Sequence, residues 1–209
     1  MIAPIKSRIP VAGRGSIYHL KITLAEVKPP IWRRIRVPGE ANLGWLHAVI
    51  QVAMGWTNSH LHHFRIGEQL YGDPLLMQEN FEELEYEDST GTKISDMLPS
   101  NGKRFRFEYE YDFGDGWRHE ILFEGPVGAK PGQGYPVCVE GARACPPEDV
   151  GGAWGYADFV KAIGDPHNKE HAELLQWAGG AFDPEAFDAT KATKAMQRGL
   201  PNWRAEQWM

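Results

Sequence analysis

Apolar and polar residues alternate strictly along Arg104–Glu124, the stretch around which the rest of the chain is arranged. Phe105, Phe107, Tyr109, Tyr111 and Phe113 share one face, and Arg104, Arg106, Glu108, Glu110 and Asp112 share the other. A period of two, rich in aromatics, is the signature of a half-buried strand. Gly114-Asp115-Gly116 supplies turn residues and the alternation resumes from Trp117 to Phe123, which predicts a β-hairpin. A three-residue loop, Gly114 to Gly116, would set Phe113 opposite Trp117, Tyr111 opposite His119, Tyr109 opposite Ile121 and Phe107 opposite Phe123. A two-residue loop would put charges among the aromatics, because a one-residue slip turns every side chain to the other face. The longer loop is therefore expected, closed by a left-handed Gly116. On the polar face it pairs Asp112 with Arg118 and sets Glu110 against Glu120, a like-charge pair that solvent or a cation would relieve.

The same reading places the other elements. Ile17–Ala25 alternates through Tyr18, Leu20, Ile22 and Leu24, and Ile31–Val37 sets Ile31, Arg33, Ile35 and Val37 against Trp32, Arg34 and Arg36. Two strands are predicted there, broken by Lys28-Pro29-Pro30. Asn42 is a good N-cap for a helix over Leu43–Met54, with Gly55 as a left-handed stop. That segment is apolar nearly all round, as a buried central helix would be, with His47 as a hydrogen-bonded core histidine. Leu61–Tyr71 reads as a third strand, Glu79–Asp88 as an acidic connection, and Tyr135–Val139 as a short edge strand. Beyond Cys145 the pattern turns helical: Tyr156–Ile163, a helix opened by Asp165-Pro166 and running to Ala178, and a last one opened by Asp183-Pro184 and ending near Gly199. The fold class is α+β, an antiparallel or mixed sheet packed on a buried central helix with a helical C-terminal third. The opening ββαβ order is compatible with a β-grasp-like start.

With 209 residues, one domain is expected over residues 16–190, preceded by a mobile arm (1–15) and followed by a helix end and tail (191–209) carrying Trp203 and Trp208. Two cysteines do not make a disulfide scaffold, which points to a reducing cytoplasm. A net charge of −6 disfavours general nucleic-acid binding. No stretch has the length of a membrane span, so no membrane partner is expected.

Four groups of side chains have chemistry worth weighing. Asp112, Asp115, Glu148 and Asp149 would converge if the Cys145–Gly152 loop folds over the hairpin tip, and hard divalent cations take such oxygen ligands. The competing reading gives each carboxylate a local task, in a turn, an ion pair or a cap. Cys138, Cys145, His167 and His171 are zinc-type ligands, but the cysteines have six residues between them, unlike a zinc knuckle. His60, His62, His63 and His119 suit core edges or a partner surface. Arg33, Arg34 and Arg36 would grip a phosphate backbone or guard an edge strand.

Five blocks in order resemble one family: LGWLHAVIQVAMGW from Leu43, His60-Leu61, YDFGDGWRHEI from Tyr111, ACPPEDVGGAWGYADF from Ala144 and FDPEAFD from Phe182. This is the plasmid pRiA4b ORF-3-like family, often labelled a TnpR-type passenger protein of insertion elements. The resemblance covers about Ser16 to Asp188 and implies a compact α+β domain associated with mobile elements. It does not imply a resolvase. The serines lie in the arm, turns and loops, and the arginine-histidine-arginine-tyrosine set of a tyrosine recombinase cannot be assembled. The expected function is a non-enzymatic, protein-binding accessory module with no cofactor, its contact surface formed by Asp112, Asp115, Trp117, Glu148, Asp149 and Trp154. The alternative is a metal-dependent hydrolase or nuclease using the carboxylates, with a divalent metal bound there.

Overall fold

A computed structural model describes residues 15–73, 85–99 and 101–201. The arm, most of the acidic connection, and Trp203 and Trp208 of the tail lie outside the described residues. Eight strands form one mixed sheet: β1 (Ile17–Leu24), β2 (Trp32–Pro38), β3 (His62–Ile66), β4 (Gln69–Gly72), β5 (Tyr86–Asp88), β6 (Phe105–Tyr111), β7 (Trp117–Val127) and β8 (Val137–Ala142). Their spatial order is β5-β4-β3-β6-β7-β1-β2-β8, and every neighbouring pair is antiparallel except β4 and β5. Because β3 pairs with β4 and β6 rather than with β1, the opening ββαβ segment is not a unit of its own.

Helix α1 (Leu43–Met54) begins where Asn42 Oδ1 accepts the Trp45 N–H and ends at Gly55 in the left-handed region. Ten of its twelve residues are buried, and they share one core with the inward faces of β1, β2, β3, β6 and β7. Helices α2 (Ile94–Met97), α3 (Gly152–Ile163), α4 (His171–Trp177) and α5 (Ala189–Arg198) complete the described residues. Helix α5 packs on β8 and α1.

Four expectations need correction. Leu61–Tyr71 is two strands, since Gly67 and Glu68 turn the chain between Ile66 and Gln69. Tyr86–Asp88 is a strand pairing with β4, where a connection was expected. Asp165 and Asp183 cap turns, accepting the His167 and Glu185 N–H groups, while the helices proper start at His171 and at Ala189, the latter capped by Asp188. The hairpin register is also different: Tyr111 opposes Trp117, Tyr109 opposes His119, Phe107 opposes Ile121 and Phe105 opposes Phe123. Phe105, Phe107, Tyr109 and Tyr111 do share a face, but Phe113 falls in a five-residue loop, Asp112 to Gly116, and packs on His63 with ring centroids 5.1 Å apart. Asp112 stops the strand early by entering the left-handed region, with φ 55°, where its carboxylate receives the N–H groups of Gly114 and Asp115. The like-charge pair becomes Glu108 against Glu120, answered by Arg65 at 3.9 Å and Arg106 at 3.1 Å respectively.

Candidate functional site

The segment Cys145–Gly152 has no ladder to hold it, and it is fastened by side chains along its length. Trp56 Nε1 donates to the Pro146 carbonyl at 3.0 Å. Glu148 Oε1 accepts from the Thr57 N–H at 2.8 Å and from the Tyr111 hydroxyl at 3.0 Å. Asp149 Oδ1 lies 3.0 Å from His60 Nε2. Asp115 Oδ2 accepts the Gly151 N–H at 3.1 Å, and the Gly152 Cα passes so close that a Cβ there would stand 2.5 Å from the Asp115 carbonyl oxygen. The loop thus docks on the hairpin tip and on residues 56–60 together.

That docking brings together His60, Asp112 and Asp149, one ligand atom of each lying within 4.8 Å of the others. Asp112 is buried, His60 is half-buried and Asp149 is exposed. The three are joined by pairing of β3 with β6: His62 opposes Tyr111, so the residues just before β3 meet the residue just after β6, where the Asp112 N–H donates to the Leu61 carbonyl at 2.9 Å. Alternation along the chain carries no signal of this register, so His60 reads in sequence as a neighbour of His62 rather than of the carboxylates. Thr57 and Tyr111 were missed as Glu148 partners for the same reason. Burial, and then the Glu148 carboxylate, push the Tyr111 phenol above its ordinary range, so that it donates.

Behind this surface lies a buried polar network. His47 Nδ1 contacts the Tyr109 hydroxyl at 2.8 Å and its Nε2 contacts Asn58 Oδ1 at 2.6 Å, while the ring stacks on His62 with centroids 3.4 Å apart. Gln51 joins Tyr109 and the Asn58 backbone. Asn58 Oδ1 can only accept, so His47 carries its proton on Nε2 and receives the Tyr109 hydroxyl at Nδ1.

The remaining candidates are dispersed. Trp117 is a core residue, 1 % exposed, and contributes no contact surface, whereas Trp154 is 88 % exposed. Cys138 and Cys145 lie beside the Arg33 guanidinium, and burial pushes both thiols up, Cys138 to about 11. His167 precedes α4 and is not on one helix with His171, whose Nδ1 faces the Ala162 carbonyl. Strand β2 is not an edge: Arg34 is held by Glu124 and Glu140, and Arg36 Nε donates to His19 at 2.7 Å. Arg33 is 1 % exposed and donates to the carbonyls of Ala53, Trp32, Ala142 and Arg143.

A cleft of about 630 Å³ opens beside α3, between Val27, Pro29 and Ile31 and the helix residues Ala153, Trp154 and Val160. The ion pair of Arg143 with Glu185, 3.0 Å, also lines it.

No helix among the described residues is long and apolar enough to cross a membrane. The profile of the plasmid pRiA4b ORF-3-like protein family matches residues 16–191. The uncharacterized protein y4hQ of Sinorhizobium fredii (strain NBRC 101917 / NGR234) is 39 % identical over 190 residues, 90 % of this chain and 95 % of that one. The crystal structure of the protein of unknown function MM3350 from Methanosarcina mazei Go1 superposes with a TM-score of 0.73 at 34 % identity, covering 85 % of this chain and 97 % of that one. The match over the whole α+β domain, by sequence and by fold, shows that this chain belongs to the plasmid pRiA4b ORF-3-like family.

Proposed function

We propose that the chain is a protein-interaction module whose contact site is the Trp154 cleft, and that its partner is a short extended protein segment bearing an apolar anchor. The observation that carries this reading is the exposure of Trp154, 88 %, at the rim of an apolar-walled cleft. An indole offers about 150–250 Å² of surface, and leaving it in water forgoes roughly 25 cal/mol for each Å². A chain laid across the rim would cover the ring while an apolar side chain enters the cleft among Val27, Ile31 and Val160. Exposed tryptophans at such places are where binding energy concentrates. The free thiols Cys138 and Cys145 suit a module working in the reducing cytoplasm.

The hydrolase alternative loses two of its four carboxylates to protein contacts, since Asp115 holds Gly151 and Glu148 holds Thr57 and Tyr111. The interaction reading is tested by panning a displayed peptide library on the intact chain, then measuring enriched peptides by fluorescence anisotropy. Peptides that bind the protein and lose at least about tenfold in affinity to Trp154→Ala are expected. Enriched peptides that bind both proteins equally, or no enrichment at all, would overturn it.

A further inference from the structure

We propose that His60, Asp112 and Asp149 form a binding site for a divalent transition-metal ion where the Cys145–Gly152 loop meets the hairpin tip. The proposal is independent of the Trp154 cleft. His60 Nε2 lies 3.0 Å from Asp149 Oδ1 and 3.6 Å from Asp112 Oδ2. Two ligand atoms at about 2.1 Å from one ion, at angles near tetrahedral or octahedral, stand about 3.0–3.4 Å apart. The shorter separation falls within that range, and the longer one, too long for a hydrogen bond, lies just beyond it, so that a small movement of His60 would bring all three atoms onto one ion.

Asp112 supplies an observation of a different kind. Its side chain is 8 % exposed, and the Gly114 and Asp115 N–H groups both go to Oδ1, at 3.0 and 3.3 Å. Oδ2 is the oxygen turned toward His60. A buried carboxylate needs its charge answered. Arg118 of β7 and Arg143, two residues before Cys145, are engaged instead by Glu26 and Glu185. A dication would balance the two carboxylates, Asp112 and Asp149. The amides on Oδ1 then act as the outer contacts that orient a ligating carboxylate.

One imidazole with two carboxylates selects a first-row ion such as Zn²⁺ or Mn²⁺ over Ca²⁺. Asp149 is 70 % exposed, so the ion would face solvent and keep positions for water or an oxygen ligand. It would also clip the loop to the hairpin, because Asp149 belongs to the one and Asp112 to the other.

The test titrates the full chain, first stripped with chelator, with Zn²⁺, Mn²⁺ and Mg²⁺ by isothermal calorimetry. One equivalent of Zn²⁺ is expected, bound more tightly than Mn²⁺, with Mg²⁺ weakest. Asp149→Asn is expected to weaken Zn²⁺ by at least about tenfold. Asparagine tolerates the left-handed backbone of Asp149, φ 56°, so this variant folds. His60→Gln should behave the same way, while His167→Ala should leave the affinity unchanged. Zn²⁺ affinity that is unaltered in both Asp149→Asn and His60→Gln, or that disappears in His167→Ala, would mark adventitious binding by exposed histidines and overturn the site.

Discussion

His47, His62, His63 and His119 are all buried, and burial holds each ring neutral. His47 is lowered to about 3, His63 and His119 to about 4, and His62 well below 6.5. In the unfolded chain these rings protonate near pH 6.5, so between that value and about 4 the unfolded state binds more protons than the native state. The stability they confer is therefore present above pH 6.5 and lost as pH falls through that window, by up to about 1.4 kcal/mol per pH unit for each ring. Urea unfolding from pH 7 to pH 4 measures this; a flat profile would contradict it. The core role of His47 was legible in the sequence, because it interrupts a helix apolar nearly all round. The role of Arg33 was half legible. It alternates with Ile31, Ile35 and Val37, which puts it on the buried face, but the carbonyls it binds come from the end of α1 and from residues 142–143, far along the chain.

At the scale of elements, two glycines separate the cost of backbone conformation from the cost of close approach. Gly116 has φ +66° with open space around it, so Gly116→Ala should cost about 1–2 kcal/mol, the penalty for a left-handed alanine. Gly152 has φ +68°, but a Cβ would also stand 2.5 Å from the Asp115 carbonyl, a backbone atom that cannot swing away. Gly152→Ala should therefore cost on the order of 3 kcal/mol or more, the conformational penalty plus overpacking. Chemical denaturation of the two variants decides it, and equal losses would show that the loop does not press on the hairpin tip. The hairpin teaches a related point. Which face each residue takes follows from alternation, but loop length does not, because loops of three and five residues preserve the same faces. The left-handed turn at Asp112 chooses between them.

Across the whole molecule, the distribution of charge leads to a prediction about nucleic acid. The net charge is −6, Arg33 is internal, and Arg34 is held between two glutamates. Binding to mixed-sequence duplex DNA at physiological salt should be weaker than about 10⁻⁶ M, the tight end of ordinary non-specific association. Anisotropy titration at several salt concentrations tests this, and tight binding with a steep salt slope would reverse it.

Local patterning determined the α+β class, the boundaries and caps of α1 and the identity of the inward faces of the strands. Each of these follows from interactions among residues near in sequence or from the need to bury one face. Tertiary structure decided the neighbours: the order of strands, the placement of β2 inside the sheet, and the meeting of His60 with Asp112 and Asp149. Residues 60, 112 and 149 come together because β3 pairs with β6 in one register and a loop from beyond β8 closes over both. Alternation says which face a side chain takes, but pairing between distant strands says beside whom, and that pairing is set by the packing of the whole core.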